Sequence, residues 1–283
     1  MAGPSKPTFS KETVVLGCYK DYSLKDVKKL VVRKLKYPFY AGRKYQCPVC
    51  GANLSKFKPA WKSLERELST FIYPIDSFET FNRTELVCPS CDASDRDRLC
   101  ALYIKQKLGK LPQDDKPMFL DFAPNLGISC WMRGFGNIEY RSLDLFRRNV
   151  DEKVDIQDMP QFPDNSVGGF ICSHVLEHVP DDAAAMKELY RILKSGGFGV
   201  VMVPLIRDVM KTQEDPSHAT EELRKKHYAQ GDHLRLYGIS DFMEKLQKVG
   251  FQVQRLGVDY FGQDTFGRSG ITECSALYVV TKP

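Results

Sequence analysis

The sequence has no apolar run long enough to cross a bilayer: the longest, near residues 198–206, falls far short of the ~20 residues a membrane helix needs. Its opening, MAGPSKPTFS, lacks the apolar core of a signal peptide, so a soluble, cytoplasmic protein is expected. The dinucleotide fingerprint G-x-G-x-x-G is missing, which argues against a nicotinamide cofactor. Internal repeats and low-complexity tracts are missing too. What is left is a globular chain of 283 residues and 42% hydrophobic composition, enough for one sizeable core and a second, smaller domain.

Cysteine, by contrast, is plentiful, and so is positive charge toward the front. Nine cysteines in a reducing compartment point to metal binding or redox chemistry, and the odd count argues against a full disulfide framework. Residues 1–116 hold 22 Lys and Arg against 13 Asp and Glu, leaving 19 against 23 for the rest. Within the front, SLKDVKKLVVRKLK at 23–36 sets Leu24, Val27, Leu30, Val31 and Leu35 on one stripe of a basic amphipathic helix, with Ser23 and Asp26 in capping-box-like spacing. Such a helix can dock on nucleic acid or an anionic membrane surface, or pack by its stripe and leave its lysines to solvent.

Two C-P-x-C knuckles, Cys47 with Cys50 and Cys88 with Cys91, lie 37 residues apart and supply the four thiolates that tetrahedral zinc needs. A redox pair is the weaker reading of two proline-containing knuckles with no thioredoxin-like βαβ context. An iron–sulfur cluster would use the same four thiolates, and knuckles that have lost their metal would keep the same spacing. Four thiolates close the coordination sphere, so the metal is expected to be structural. The insert between the knuckles carries Trp61, Phe71, Tyr73, Phe78 and Phe81, which suits either the packing of a small domain or a lid or partner site. Cys18, Cys100, Cys130, Cys172 and Cys274 are isolated and read as small buried apolar residues.

From Met118 onward short apolar strands alternate with helical patterns, the texture of a parallel sheet covered by helices on both faces. Strands are expected over 118–122, 138–143, 168–173, 198–203, 251–256 and 276–281. Helices are expected over 181–193, opened by Pro180 and closed by Ser195-Gly196-Gly197, and over 240–249, opened by Ser240 and closed by Gly250. The first strand ends at Asp121 and runs into A-P-N-L-G, a strand-turn-helix junction that would present backbone amides to a ligand. About 20 residues on, Asp144 stands where an acidic side chain accepts from ribose hydroxyls, which fits an adenosyl cofactor. Asp158 follows, placed to accept from an adenine amino group while Met159 covers the ring.

The run FPDNSVGGFICSHVLEHVPDDAAAMKELYRILKSGGFGVVMVPL resembles the region that follows the adenine acid in class I S-adenosylmethionine-dependent methyltransferases of the type 11 group. The resemblance spans roughly residues 118–283. More narrowly, the chain is similar to a bacterial subgroup with a CPxC…CPxC front, an F-A-P turn (Phe122 to Pro124) and a G-D-H-x-R-x-Y-G element (Gly231 to Gly238). It departs from the group's D/E-x-G-x-G-x-G turn, since Ala123 and Asn125 stand where glycines are expected, while Gly127 remains and Ser129 follows. The resemblance implies an α/β, Rossmann-like methyltransferase domain behind a small zinc-binding domain. The expected divisions are a basic helical segment over 1–45, a zinc module with a connecting helix over 46–116 and the methyltransferase domain over 117–283. The implied cofactors are S-adenosyl-L-methionine and zinc. The cofactor site is expected to draw on Asp121, Ala123, Pro124, Gly127, Asp144, Leu145, Asp158, Met159, Ser173 and His174.

Methyl transfer from a sulfonium is an in-line displacement, so positioning and exclusion of water carry most of it. A hydroxyl acceptor must also lose a proton, and histidine is the natural base. Of the five histidines, His233 lies between Asp232 and Arg235 in a glycine-flanked segment where acceptor-binding insertions of this fold usually sit. Expected roles are therefore His233 as base, Asp232 orienting it and His178 as a further catalytic candidate, with Arg235 and Tyr237 holding the acceptor. Glu177 is a second candidate for the base. His218 and His227 fall in a polar stretch over 211–230 that reads as a lid or cap. The leading functional expectation is O-methylation of a small-molecule or glycan acceptor. A nucleic-acid or ribosome-directed enzyme is favoured by the basic front but lacks an RNA-binding motif and the N/D-P-P-Y/F tetrapeptide. A non-catalytic cofactor-binding scaffold is the third reading.

Overall fold

The computed structural model describes residues 32–33, 35–111 and 116–283. Most of the expected amphipathic helix over 23–36 lies outside the described residues, as does Cys18.

A seven-stranded sheet organises the molecule. It is built from β3 (Met118–Phe122), β4 (Glu139–Asp144), β5 (Glu152–Lys153), β6 (Val167–Ser173), β7 (Leu193–Met202), β8 (Gln252–Leu256) and β9 (Leu277–Thr281). The order is β5-β4-β3-β6-β7-β9-β8, parallel from β5 to β7, with β9 antiparallel to both of its neighbours. Helices cover both faces, so the central strands are near-continuous apolar runs rather than alternating ones: four successive residues of β6, Gly169 to Cys172, are buried. The winding reverses between β3 and β6, and that switch opens a crevice at their carboxyl ends, where an open α/β sheet takes its ligand.

Most expected elements are in place, with two shifts at their ends. The helix Asp182–Ile192 is capped by Asp181, whose carboxylate accepts from the Ala184 amide at 2.8 Å, and Pro180 precedes the cap. Ser195-Gly196-Gly197 does not close it. The helix stops at Ile192 and β7 starts at once, with Gly196 at φ +75° bonding its amide to the Lys282 carbonyl just past the last strand. The helix Ile239–Lys248 starts one residue early, after Gly238, where a β-carbon would stand 2.3 Å from the Lys211 and Met210 backbone and only glycine fits.

The front packs on this sheet without a break in the apolar core. A hairpin of β1 (Ala41–Gln46) and β2 (Asn53–Leu54) holds the first knuckle, and the second leads into α1 (Asp95–Leu108). The start of α1 is fixed by a capping box, in which the Ser94 hydroxyl accepts from the Asp97 amide at 3.2 Å and the Asp97 carboxylate accepts from the Ser94 amide at 2.8 Å. Its Leu99, Cys100, Tyr103, Ile104 and Leu108 are buried in the core that also holds Phe119 and Phe198. Arg98 ties the parts together. Fully buried, it donates to the carbonyls of Glu85, Leu86, Ala93, Ser269 and Gly270 and lies 3.9 Å from the centre of the Phe57 ring.

The aromatic insert covers the segment after β7. Phe71, with Tyr73 and Phe78, packs against Ile206, Val209, Tyr228, Ala229 and Leu236, and backbone bonds join Glu79 to Leu205, Arg207 to Ser77 and Ile72 to Lys226. Trp61 stays 54% exposed. Among the described residues, no helix is long and apolar enough to cross a membrane.

Candidate active site

The two cysteine knuckles share one local fold. Cys47 N donates to Ala52 O at 3.0 Å and Gly51 N to Cys47 O at 2.8 Å; in the second knuckle Cys88 N donates to Ala93 O and Asp92 N to Cys88 O, each at 2.9 Å. The residue after the second cysteine is left-handed in both, Gly51 at φ +70° and Asp92 at φ +68°. The four sulfurs converge, with Cys47 to Cys91 at 3.7 Å and Cys50 to Cys88 at 3.8 Å. A tetrahedron of zinc–sulfur bonds of about 2.3 Å has edges of about 3.8 Å, so the set fits zinc as it stands. Crowded together, the four thiols perturb one another through sulfur–sulfur hydrogen bonds, Cys47 and Cys91 being pushed up and Cys50 and Cys88 down.

The second knuckle touches the turn after β3. A β-carbon on Gly127 would stand 2.6 Å from the Cys91 carbonyl oxygen, so only glycine fits there. The helix α2 (Leu126–Met132) is capped by Asn125, whose side chain accepts from the Gly127 amide at 2.8 Å. Ala123 sits at φ +52°, a glycine-like conformation on a residue with a side chain. At the end of β6, His174 is also left-handed, at φ +57°. Strain of this kind gathers at functional turns.

Between these strand ends and the first turn of α1 lies a small cleft of about 30 Å³, lined by residues that include Arg96, Asp97, Asp121, Ala123, Asn125 and Ser173. Asp121 is buried and pushed up to about 7, chiefly by burial, while Tyr140 donates to it at 2.8 Å. The Ser173 hydroxyl is buried without a partner, a polar atom available to a ligand. Those features suit the polar end of a bound cofactor. Asp144 Oδ1 accepts the amides of Phe146 and Arg147, each at 2.8 Å, and its Oδ2 lies 3.6 Å from Arg147 Nε. Leu145 beside it is 44% exposed, an uncovered apolar residue at the strand end. Pro124 is buried, and its carbonyl accepts from Arg147 at 2.7 Å. Asp158 is exposed, whereas Met159 is wholly buried in the core, its amide donating to Glu188 at 2.7 Å.

The histidines form a second group. His178 and His233 meet edge to face, with ring centres 4.7 Å apart, and Asp232 Oδ2 lies 3.3 Å from His178 Nδ1. Asp232 thus addresses His178, while His233 Nδ1 lies 2.6 Å from the Tyr228 carbonyl. Glu177 lies at the centre, fully buried, with neither carboxylate oxygen accepting a hydrogen bond. Burial pushes Glu177 up to about 8 and His233 down to about 4, and it holds His174 well below its ordinary value. Sequence reasoning gave Glu177 only a secondary place, and its one signal was a carboxylate inside the apolar run H-V-L-E-H-V-P.

Arg235 and Tyr237 are buried with their polar atoms already engaged. The Arg235 guanidinium donates to the carbonyls of Leu176, Val179 and Pro180 and pairs with Glu214 at 2.8–2.9 Å. The Tyr237 hydroxyl donates to Asp182 at 2.6 Å. Both therefore grip residues 176–182 from behind. His218 and His227 stack on one another at 4.0 Å near the helix Glu221–Tyr228. At the same edge of the sheet, past the ends of β8 and β9, a 280 Å³ cavity is lined by residues that include Glu79, Arg207, Arg255, Asp259 and Glu273.

Residues 80–256 match the family described as a methyltransferase domain, and the chain belongs to that family. It is a class I S-adenosylmethionine-dependent methyltransferase, with the mostly parallel seven-stranded sheet of that fold. No curated protein matches the chain. Among solved structures it is similar to a chain of the complex between the Haloferax volcanii Trm112 methyltransferase activator and a methyltransferase (16% identity, 67% of this chain and 93% of that one, TM-score 0.42). It is similar also to a Bacillus halodurans methyltransferase (15%, 64% and 98%, 0.40). A third is the Haemonchus contortus phosphoethanolamine N-methyltransferase 2 in complex with S-adenosyl-L-methionine (16%, 64% and 52%, 0.43).

Proposed function

We propose that this methyltransferase acts on a hydroxyl of a small-molecule or glycan acceptor, that its cysteine cluster holds a structural zinc, and that acceptor deprotonation takes place at His233. The observation that carries the reading is the His233 ring. Its Nδ1 faces a carbonyl, which can only accept, so Nδ1 carries the proton. Nε2 keeps its lone pair, is buried and has no partner, which suits it to take a proton from an acceptor.

In this reading S-adenosylmethionine lies across the ends of β3, β4 and β6, with Asp121, Ala123, Pro124, Gly127, Ser173 and His174 around its amino-acid end. Asp144 and Leu145 meet the ribose, and Asp158 the adenine. Met159 backs the adenine from the core rather than covering its open face. The acceptor oxygen takes the methyl as the sulfur–carbon bond breaks and leaves its electron pair on sulfur, and the acceptor proton passes to His233 Nε2. Arg235 and Tyr237 act as positioning residues, because their donors are spent on protein. The aromatic cap over residues 205–237 suits a compact acceptor.

The test is transfer of labelled methyl from S-adenosylmethionine to a panel of hydroxylated glycans and small molecules beside a total RNA sample. An ether product on a hydroxylated acceptor is expected, with turnover falling by roughly 10²-fold in His233→Ala and cofactor affinity unchanged. Label on RNA alone, or full turnover in His233→Ala, would refute the reading.

A further inference from the structure

Glu177, His178 and His233 each offer a donor atom, and these three atoms lie within 4.8 Å of one another. Two further observations set them apart from chance neighbours. The first is that both Glu177 oxygens and His233 Nε2 are buried and unpartnered. With Nδ1 of His233 protonated, all three are acceptors when Glu177 is ionised, and a single water has only two protons to give. A bound cation would engage all three at once.

The second observation concerns the outer ring nitrogens. His233 Nδ1 is held by the Tyr228 carbonyl at 2.6 Å, and His178 Nδ1 lies 3.3 Å from the Asp232 carboxylate. Each ring thereby turns Nε2 inward, and for His178 that atom is 4.0 Å from Glu177 Oε1. Metal-binding imidazoles are oriented in this way, by a carbonyl or carboxylate on the far nitrogen. His174 stands beside the set, with Nδ1 3.3 Å from Glu177 Oε1.

We propose that Glu177, His178 and His233 bind a divalent first-row transition ion of the zinc, cobalt or iron kind. Two imidazoles and one carboxylate suit such ions, whereas magnesium and calcium prefer all-oxygen sets. Three protein ligands leave a position open, and His178, with 34% of its side chain exposed, marks the way in. In the ion-bound chain the proposal replaces the assignment of His233 as a base. With the ion bound, Nε2 is a ligand and an acceptor oxygen would be polarised at the open position; without it, Nε2 remains free to take a proton.

Cobalt(II) titrated into the full chain, with its resident metal measured beforehand, reads binding alone. An inactive acceptor panel therefore leaves this result standing. The expected result is one further cobalt per chain whose absorption lacks the sulfur-to-metal charge-transfer band of a thiolate site. Binding should be lost in His178→Ala and weakened about 10–100-fold in Asp232→Asn, the usual effect of removing an outer partner. Both positions are partly or largely exposed, so the variants should fold, and retained S-adenosylhomocysteine binding checks that they do. No such cobalt in the unmodified chain, or undiminished binding in His178→Ala, overturns the proposal.

Discussion

Nδ1 of His233 meets the carbonyl oxygen of Tyr228 at 2.6 Å, and that contact decides which face of the imidazole looks toward Glu177. The carbonyl is positioned by a local irregularity, since the next residue, Ala229, is left-handed at φ +75° and ends the preceding helix. Replacing Ala229 with glycine should preserve the contact. A β-branched residue there should disturb it.

For the cysteine cluster, protein purified without added metal should carry close to one zinc per chain. Cys47→Ser with Cys88→Ser should abolish it, because two of the four thiolates are then gone. Metal analysis showing less than about half an equivalent would sink the assignment.

Asp144→Ala should weaken S-adenosylhomocysteine binding by ~2 kcal/mol or more, the order of a lost pair of charge-assisted hydrogen bonds. Because Asp144 also accepts the amides of Phe146 and Arg147, Asp144→Asn should recover part of the loss by keeping one oxygen for the loop. Calorimetric titration separates the two, and equal affinity in all three proteins would refute the placement.

Asp121 gives a pH dependence of known sign. Its folded value, pushed up to about 7, lies above the ordinary 3.8, so the folded chain holds a proton that the unfolded chain has lost. The corresponding stability is fully present below about pH 4 and is lost as pH rises to about 7. Asp121→Asn should flatten that decline in urea midpoints measured from pH 5 to 8. An unchanged slope would show that the carboxyl ionises without penalty.

Arg98→Ala should destabilise the fold by about 3 kcal/mol or more, because five carbonyls from three parts of the chain lose their donor together. Arg98→Lys should rescue little, since three donors on one nitrogen cannot reach five carbonyls. Denaturant unfolding of the three proteins decides it.

Arg235→Ala should reduce kcat more than KM for the cofactor, since its contacts hold residues 176–180, which carry Glu177 and His178, rather than the cofactor. Steady-state kinetics showing only a raised acceptor KM would instead make Arg235 an acceptor ligand.

The sheet was legible because its strands are dense apolar runs bounded by acids and glycines, and both faces of the central strands are covered. Helix and strand junctions were less so: Ser195-Gly196-Gly197 reads as a helix stop, but the register of β7 against the last strand draws it into the sheet. That the four cysteines belong together follows from their spacing, whereas which sulfur lies nearest which, Cys47 to Cys91 and Cys50 to Cys88, is set by the fold. The partners of the histidines are equally hidden, because Tyr228 reaches His233 through a backbone carbonyl that leaves no trace in residue type. The contacts of Arg235 are hidden for a similar reason, since a guanidinium beside a histidine looks the same in sequence whether it faces a ligand or three carbonyls.

In the proposed reading, with zinc at the knuckles and the cofactor at the turn before α2, the contact between Cys91 and Gly127 joins two binding events in one thermodynamic cycle. Stripping metal from the knuckle frees the Cys91 carbonyl to move against the turn that begins α2, so a chelator should be felt as lost cofactor affinity. Reciprocity then requires that saturating cofactor protect the metal from chelation by the same factor, with no contact between the two ligands.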